Sequence, residues 1–299
     1  MNRYRWIPLL LLPALIAGCS ALRITYNQAD HILAWRADDY FDFDPHQKQE
    51  FNARIERLLE WHRRDQLPEY AAFTTAAINK ARPRLRREDI VWFIEGFKAR
   101  YRIIVNCGIQ DAAELLATLK PEQLAALQKQ WDKVNRKFVA ERELDVGIEK
   151  RKRARLKRTL AQITDWTGSL TREQEHRIEA LLDRVPLSEH LRHQDRIRRQ
   201  QEFLELLKLR ANKPEFQPRL HAWLLDWEQG RAPEYARLSG EALEQRIQFY
   251  LAVEKVLTPA QREHALQRLQ KFGDDFRALS AKSLKADVAP FETSRLAFF

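Results

Sequence analysis

Four segments of this chain are written to begin a helix in the same way, and they constrain the fold more than any other feature. They read Phe43-Asp44-Pro45-His46-Gln47, Leu119-Lys120-Pro121-Glu122-Gln123, Leu170-Thr171-Arg172-Glu173-Gln174 and Leu257-Thr258-Pro259-Ala260-Gln261. The pattern is a capping box. Asp44, Thr171 or Thr258 accepts from first-turn amides that have no intrahelical partner. The glutamine three positions on, at Gln47, Gln123, Gln174 and Gln261, reaches back to the cap amide. Proline at the first helical position, as at Pro45, Pro121 and Pro259, is harmless because that amide has no intrahelical acceptor. Lys120 lacks an acceptor, so the second copy is degenerate, although it alone offers an apolar residue, Leu124, to staple against the leucine before the cap.

The rest of the chain agrees with helices throughout. Glycine is scarce, eight in 299 residues, and charged residues make up 31%. No run of alternating β-branched residues bounded by turns is present, so the composition predicts an all-α fold. Phe51, Ile55, Leu58 and Leu59 share one helical stripe, as do Leu124, Leu127, Trp131, Val134 and Phe138, and later Leu266, Leu269, Phe272 and Phe276. The helix starts fall in pairs, Asp44 with Lys120 and Thr171 with Thr258. Breaks at Arg82-Pro83 and Asn106-Cys107-Gly108 divide the first interval into helices near 67–82, 87–106 and 109–118. Ser188, Pro214 and Gly230 with Pro233 divide the second into helices near 188–212, 214–229 and 233–256. The paired spacing predicts two related helical units forming an extended bundle. The divisions are a signal segment at 1–18, a tether and helix at 19–42, a first unit at 43–138, a basic connecting helix at 139–168, a second unit at 169–280 and a tail at 281–299.

The first residues have the three parts of a secretory signal. Arg3 and Arg5 precede a charge-free apolar run from Trp6 to Ala17, and small Ala17 and Gly18 precede Cys19. Twelve helical residues rise only about 18 Å, too little for a hydrocarbon core of about 30 Å. The segment resembles a bacterial lipoprotein signal, which implies acylation of Cys19. Ser20, rather than Asp, at the next position implies the outer membrane and its periplasmic face. Several acyl chains anchor stably where one binds marginally. Cys107 is the one other cysteine, so no intrachain disulfide is expected once Cys19 is acylated, and Cys107 reads as a small buried apolar group.

The Leu-Thr-x-x-Gln segments at 170–174 and 257–261 resemble the motifs of the periplasmic Spy/CpxP family of helical stress proteins, and the copies at 43 and 119 keep the glutamine without the threonine. The chain is also similar to uncharacterised helical lipoproteins of proteobacteria. The family resemblance implies a thin, concave, basic helical cradle that holds unfolded clients without ATP, here with two units in tandem replacing a dimer. The departures are the greater length, the acylation, the many tryptophans and the absence of any methionine beyond Met1, whose soft side chain suits promiscuous surfaces.

Net charge is +10, and the sharpest basic run is Lys150, Arg151, Lys152, Arg153, Arg155, Lys157 and Arg158. On a helix these residues cover every side, so the reading is a solvated segment not buried against an apolar core. Behind a lipoprotein signal its partners would be envelope polyanions or acidic protein segments, with no nucleic acid. His190 and His193 stand three apart on a helix, but no third metal ligand is evident. The tryptophans fall mostly on apolar stripes, with Trp223, Trp227 and Tyr235 as a candidate groove for apolar segments. No nucleophile elbow, phosphate-binding loop or dinucleotide fingerprint occurs. The sequence thus predicts a non-catalytic binding protein without cofactors. It is chaperone-like in one reading and, in the alternative, an assembly factor recognising one envelope partner or anionic lipid through its basic helix.

Overall fold

The computed structural model describes residues 21–281. The signal segment, Cys19 and the tail after Ala281 lie outside the described residues. Within them the protein is all-helical: α1 (Ala21–Asn27), α2 (Ala29–Phe41), α3 (Pro45–Trp61), α4 (Leu67–Ala81), α5 (Arg87–Ala117), α6 (Pro121–Glu141), α7 (Ile148–Thr167), α8 (Arg172–Leu182), α9 (Glu189–Lys208), α10 (Lys213–Leu225), α11 (Pro233–Val256) and α12 (Pro259–Ser280).

Two expectations about boundaries need correction, and one junction is new. The Asn106-Cys107-Gly108 break is absent, and α5 runs unbroken for 31 residues. One glycine costs a helix only about 1 kcal/mol against alanine, which packing overrides. The connector at 139–168 is not one helix. Helix α6 reaches Glu141, Glu143 takes a positive φ of 52°, and α7 begins only at Ile148. Its end is where the sequence placed it, with Gly168 at φ 81°. Finally, α3 passes into α4 through a π-helical turn at His62–Gln66. The extra residue per turn re-aims the side chains that follow. It leaves Arg63 only 3% exposed, donating to the Leu279 carbonyl at 3.2 Å and to Asn27 at 3.0 Å.

The two sequence halves interleave. Helix α12 lies along α4, α10 lies along α5, and α6 meets α9. One core cluster joins Phe43, Leu115, Leu119 and Leu127 to Phe203, Leu207, Phe216 and Leu220. Arg210 seals this seam by donating to the Leu119 carbonyl at 3.0 Å. A second cluster gathers Leu156, Leu160 and Ile163 of α7 with Ile178 and Leu182 of α8 and Phe249 and Val253 of α11.

The four helix starts are brought together two by two. Asp44 accepts from the Gln47 amide at 3.0 Å, and Gln47 Oε1 accepts from the Asp44 amide at 3.1 Å. Gln123 Oε1 likewise accepts from the Lys120 amide at 2.9 Å. The two glutamine side chains then face each other and exchange hydrogen bonds of 3.2 and 2.7 Å. Their remaining N–H groups reach the Thr118, Phe41 and Asp42 carbonyls. Lys120 has no oxygen to offer its own helix. Its ammonium instead meets Asp44 at 3.0 Å across the pair, and the Gln47 amide, then this ammonium, hold that carboxyl below its usual range. The second pair repeats the arrangement. Gln174 and Gln261 exchange bonds of 2.7 and 3.1 Å, and each also donates to the carbonyl chain leading into the other's helix, at Val256 and Ser169.

Gln47, Gln123 and Gln174 are buried and each satisfies several polar groups at once, and leaving one such buried group unpaired costs about 1–3 kcal/mol. Gln123→Leu should therefore lower stability in urea by about 3 kcal/mol. Gln47→Leu combined with Gln123→Leu should cost less than the two single changes together, because the partners are removed jointly. Two glycines of α5 offer a contrast. A Cβ on Gly96 would collide with the Phe73 ring, whereas one on Gly108 would meet Leu58 at an ordinary 3.8 Å. Thermal melting should show Gly96→Ala destabilised by about 1–3 kcal/mol and Gly108→Ala stabilised by about 0.5–1 kcal/mol.

Candidate functional site

Helices α4, α5, α7, α11 and α12 leave an apolar groove of about 740 Å³ between the two sequence halves. Its floor is set by Ala77, Ile163, Ile247 and Val253, all buried. On its rim Leu243 and Tyr250 remain 41% and 42% exposed. Trp92, Phe93 and Trp166 add aromatic walls. Phe73 fixes the first two from behind, at ring distances of 4.7 and 5.4 Å, and Phe272 backs Trp166 at 5.9 Å.

The charged lining is mostly neutralised internally. Glu254, 8% exposed, pairs with Arg262 at 2.9 Å and accepts from the Leu85 amide at 3.3 Å. Arg262 also donates to the Ala81 carbonyl at 3.3 Å, so this pair ties α11, α12 and the end of α4 together. Asp89 meets Arg86 at 3.2 Å and Lys80 at 3.8 Å, and the Lys80 ammonium sits 5.0 Å over Trp92. Near the rim Arg87 and then Gln248 hold the Glu244 carboxyl down to about 2.

The basic run does not behave as one solvated surface, which corrects the expectation that it cannot face a core. Leu156, within the run, packs into the second core cluster. Arg155 bends its stem along the protein and donates to the Val185 and Leu182 carbonyls at 2.6 and 3.0 Å, capping α8. A long arginine stem buries readily while its head finds carbonyls. Arg151 pairs with Glu189 at 3.4 Å and Lys152 with Glu149 at 3.6 Å. Arg158 is half-buried. Lys150, Arg153 and Lys157 are exposed, and their spacing of three and four places them on one stripe of α7.

The remaining sequence candidates separate. His193 stacks on Phe138 at 5.6 Å while His190 is exposed. Among the described residues no cluster of three or more His, Cys, Asp or Glu side chains is gathered for a metal. Trp223 belongs to the first core, 4.8 Å from Phe203 and under the Arg199 guanidinium at 3.9 Å. Trp227 stacks on Tyr101 at 5.5 Å, and Tyr235 lies by Arg231. None of Trp223, Trp227 and Tyr235 lines the apolar groove. Cys107 is half-buried, and burial, then Asp111 and Asp65, pushes its thiol up to about 12. Among the described residues no helix is long and apolar enough to cross a membrane.

The sequence did not reveal the groove, because its walls come from helices far apart in the chain. One local sign was available. Leu243, Ile247 and Tyr250 form an apolar stripe on α11 beside a second one bearing Ala242 and Phe249. A helix apolar on two faces has more to cover than one core.

An all-helical body with an apolar groove between interleaved halves is thus the structural class, and comparison with known families places it further. The chain belongs to a family of unknown function, DUF6279, whose model matches residues 39–236. That span holds the first clasp and Gln174 but stops before Gln261. It also leaves out most of α11 and all of α12. No curated protein and no solved structure matches the chain.

The N-terminal helix is held by a half-buried polar cluster. His62 Nδ1 lies 2.8 Å from the Tyr26 hydroxyl and Nε2 lies 3.1 Å from that of Tyr70, with Arg63 over the Tyr26 ring at 4.9 Å. Burial lowers His62 to about 4 and raises Tyr26 to about 12. The unfolded imidazole takes its proton near 6.5, the folded one only near 4. This contribution is therefore complete above pH 6.5, is lost as pH falls towards 4, and is flat below. The loss should be on the order of 3 kcal/mol. It should appear in wild-type urea melts across that window and be largely absent from His62→Gln.

Proposed function

We propose that this protein is a non-catalytic binding protein tethered by acyl chains on Cys19 to the outer membrane, facing the periplasm, and that it holds apolar material in the groove between its halves. The groove is the observation that carries this reading. Large apolar side chains left in a concave cleft, with a few fixed polar groups, are the usual makings of a binding site. The lipoprotein-type signal supports the tether, and the paired Leu-Thr-x-x-Gln starts support kinship with the periplasmic Spy/CpxP family and a chaperone-like role. A second reading is favoured by the stripe of Lys150, Arg153 and Lys157, which are cations without an ion pair among the described residues. On that reading the protein is an assembly factor that docks one acidic envelope partner on α7.

The two readings part in one set of assays. Several-fold excess of the purified chain should suppress aggregation of a reduced, unfolding client protein. Leu266→Glu, which puts a charge in the groove, should abolish suppression while the melting temperature holds. No suppression by the unmodified chain would remove the chaperone reading. Replacing Lys150, Arg153 and Lys157 by alanine should leave suppression intact. If it instead abolishes one in-cell crosslink, the docking reading gains.

A further inference from the structure

The groove is long and lined mostly by apolar side chains, which suits an occupant of the same shape and chemistry. On α11 it runs from Leu243 to Glu254, a rise of roughly 17 Å at 1.5 Å per residue. Its volume of about 740 Å³ gives one acyl chain of that length ample room. A single acyl chain fits. Half of a hydrocarbon core, the reach of one chain, is about 15 Å.

Charge selects the other end of the ligand. Lys80 and Arg262 already have carboxylate partners in Asp89 and Glu254. Arg246 also lines the groove, stands exposed, and has no ion pair among the described residues. An unpaired guanidinium at the rim of an apolar channel is placed to receive a carboxylate or phosphate. The position of the groove agrees. Helix α1, which begins at Ala21, is pinned to α12 by Arg23 and Asp275 at 3.1 Å, and the groove's last α12 residue, Leu269, lies six residues, about 9 Å of helix, from Asp275. A chain acylated at Cys19 would carry this opening close to the lipid surface.

We propose that the groove binds a single-chain amphiphile, its acyl chain lying along α11 and its anionic head meeting Arg246. This rests on the groove being a binding site, and it narrows the occupant from apolar material in general to one lipid chain. The ligand chemistry is shared by a fatty acid and a lysophospholipid.

The test uses the full chain carrying Cys19→Ala and 9,10-dibromostearate, whose bromines quench nearby indoles. Trp92 and Trp166 should be quenched saturably, at one equivalent per chain. Ala265→Trp, which fills the channel, should abolish that binding with the melting temperature retained. Arg246→Ala should weaken dibromostearate about tenfold and leave its uncharged methyl ester unchanged. A 1-acyl lysophosphatidylglycerol that displaces the probe, where the lysophosphatidylcholine analogue does so at least tenfold less well, would support the same head contact and identify the lipid source. Unsaturable quenching, or quenching untouched by Ala265→Trp, would overturn the proposal. If the chain suppresses client aggregation but fails to bind dibromostearate, the broader reading stands and the amphiphile falls.

Discussion

Two reciprocal glutamine pairs hold this structure in register. A capping box alone serves only its own helix, with one side chain closing the first turn and another returning to the cap amide. Here the returning glutamine keeps a free amide group, and that group crosses to the matching glutamine of another helix. Gln47 with Gln123 and Gln174 with Gln261 therefore fix four helix starts as two rigid corners. The geometry is demanding, because Oε1 must accept from its own cap and from the partner together. A buried network in which every member is satisfied specifies one arrangement of its elements, since any slip strands donors away from water. The all-helical body needs such devices, because helices packed by apolar stripes alone tolerate several registers.

Those corners also explain how the halves interleave without tangling. Each clasp joins the starts of an early and a late helix of its own half, leaving the long helices between free to reach the other half. Helix α4 spends its surface on α12, and α5 spends its own on α10. The groove is what remains where α4 and α5 approach α7, α11 and α12 without closing. Its polar lining is stitched across the halves by Glu254, Arg262 and the carbonyl of Ala81. The cleft therefore has walls braced by charge pairs and a floor of small and branched side chains.

Much of this was legible in the sequence, and the limits are physical. Helix starts were readable because capping is local: Thr171 and Gln174 need only each other. The meeting of Gln174 with Gln261 was legible only as a spacing, since nothing in either motif says that its glutamine has a hydrogen bond to spare. The Asn106-Cys107-Gly108 break misled because local propensity is a small term beside the packing of a 31-residue helix between α3 and α10. The basic run misled for the opposite reason. Counting charges around a helix ignores that arginine is amphipathic, and Arg155 caps α8 because its stem packs while its head donates. The groove lay furthest from view. Only the double apolar face of α11 hinted at it, and the span matched by the family model ends just as that helix begins.

Helix α7 carries both surfaces left unassigned by the packing, and its construction bears on whether they communicate. One side presents Thr159, Ile163 and Trp166 to the groove, and the stripe of Lys150, Arg153 and Lys157 faces solvent. Coupling between two sites needs an element with two arrangements that both sites bias. Helix α7 is fixed along its length. Arg155 grips the end of α8, Leu156 and Leu160 sit in the second core, and the chain leaves at Gly168 directly into the Thr171 clasp. The helix has no hinge between Ile148 and Thr167. A ligand in the groove and an anion on the stripe thus meet the same rigid rod from different sides. Their binding free energies should add, as for any two sites that share no contact and no alternative packing.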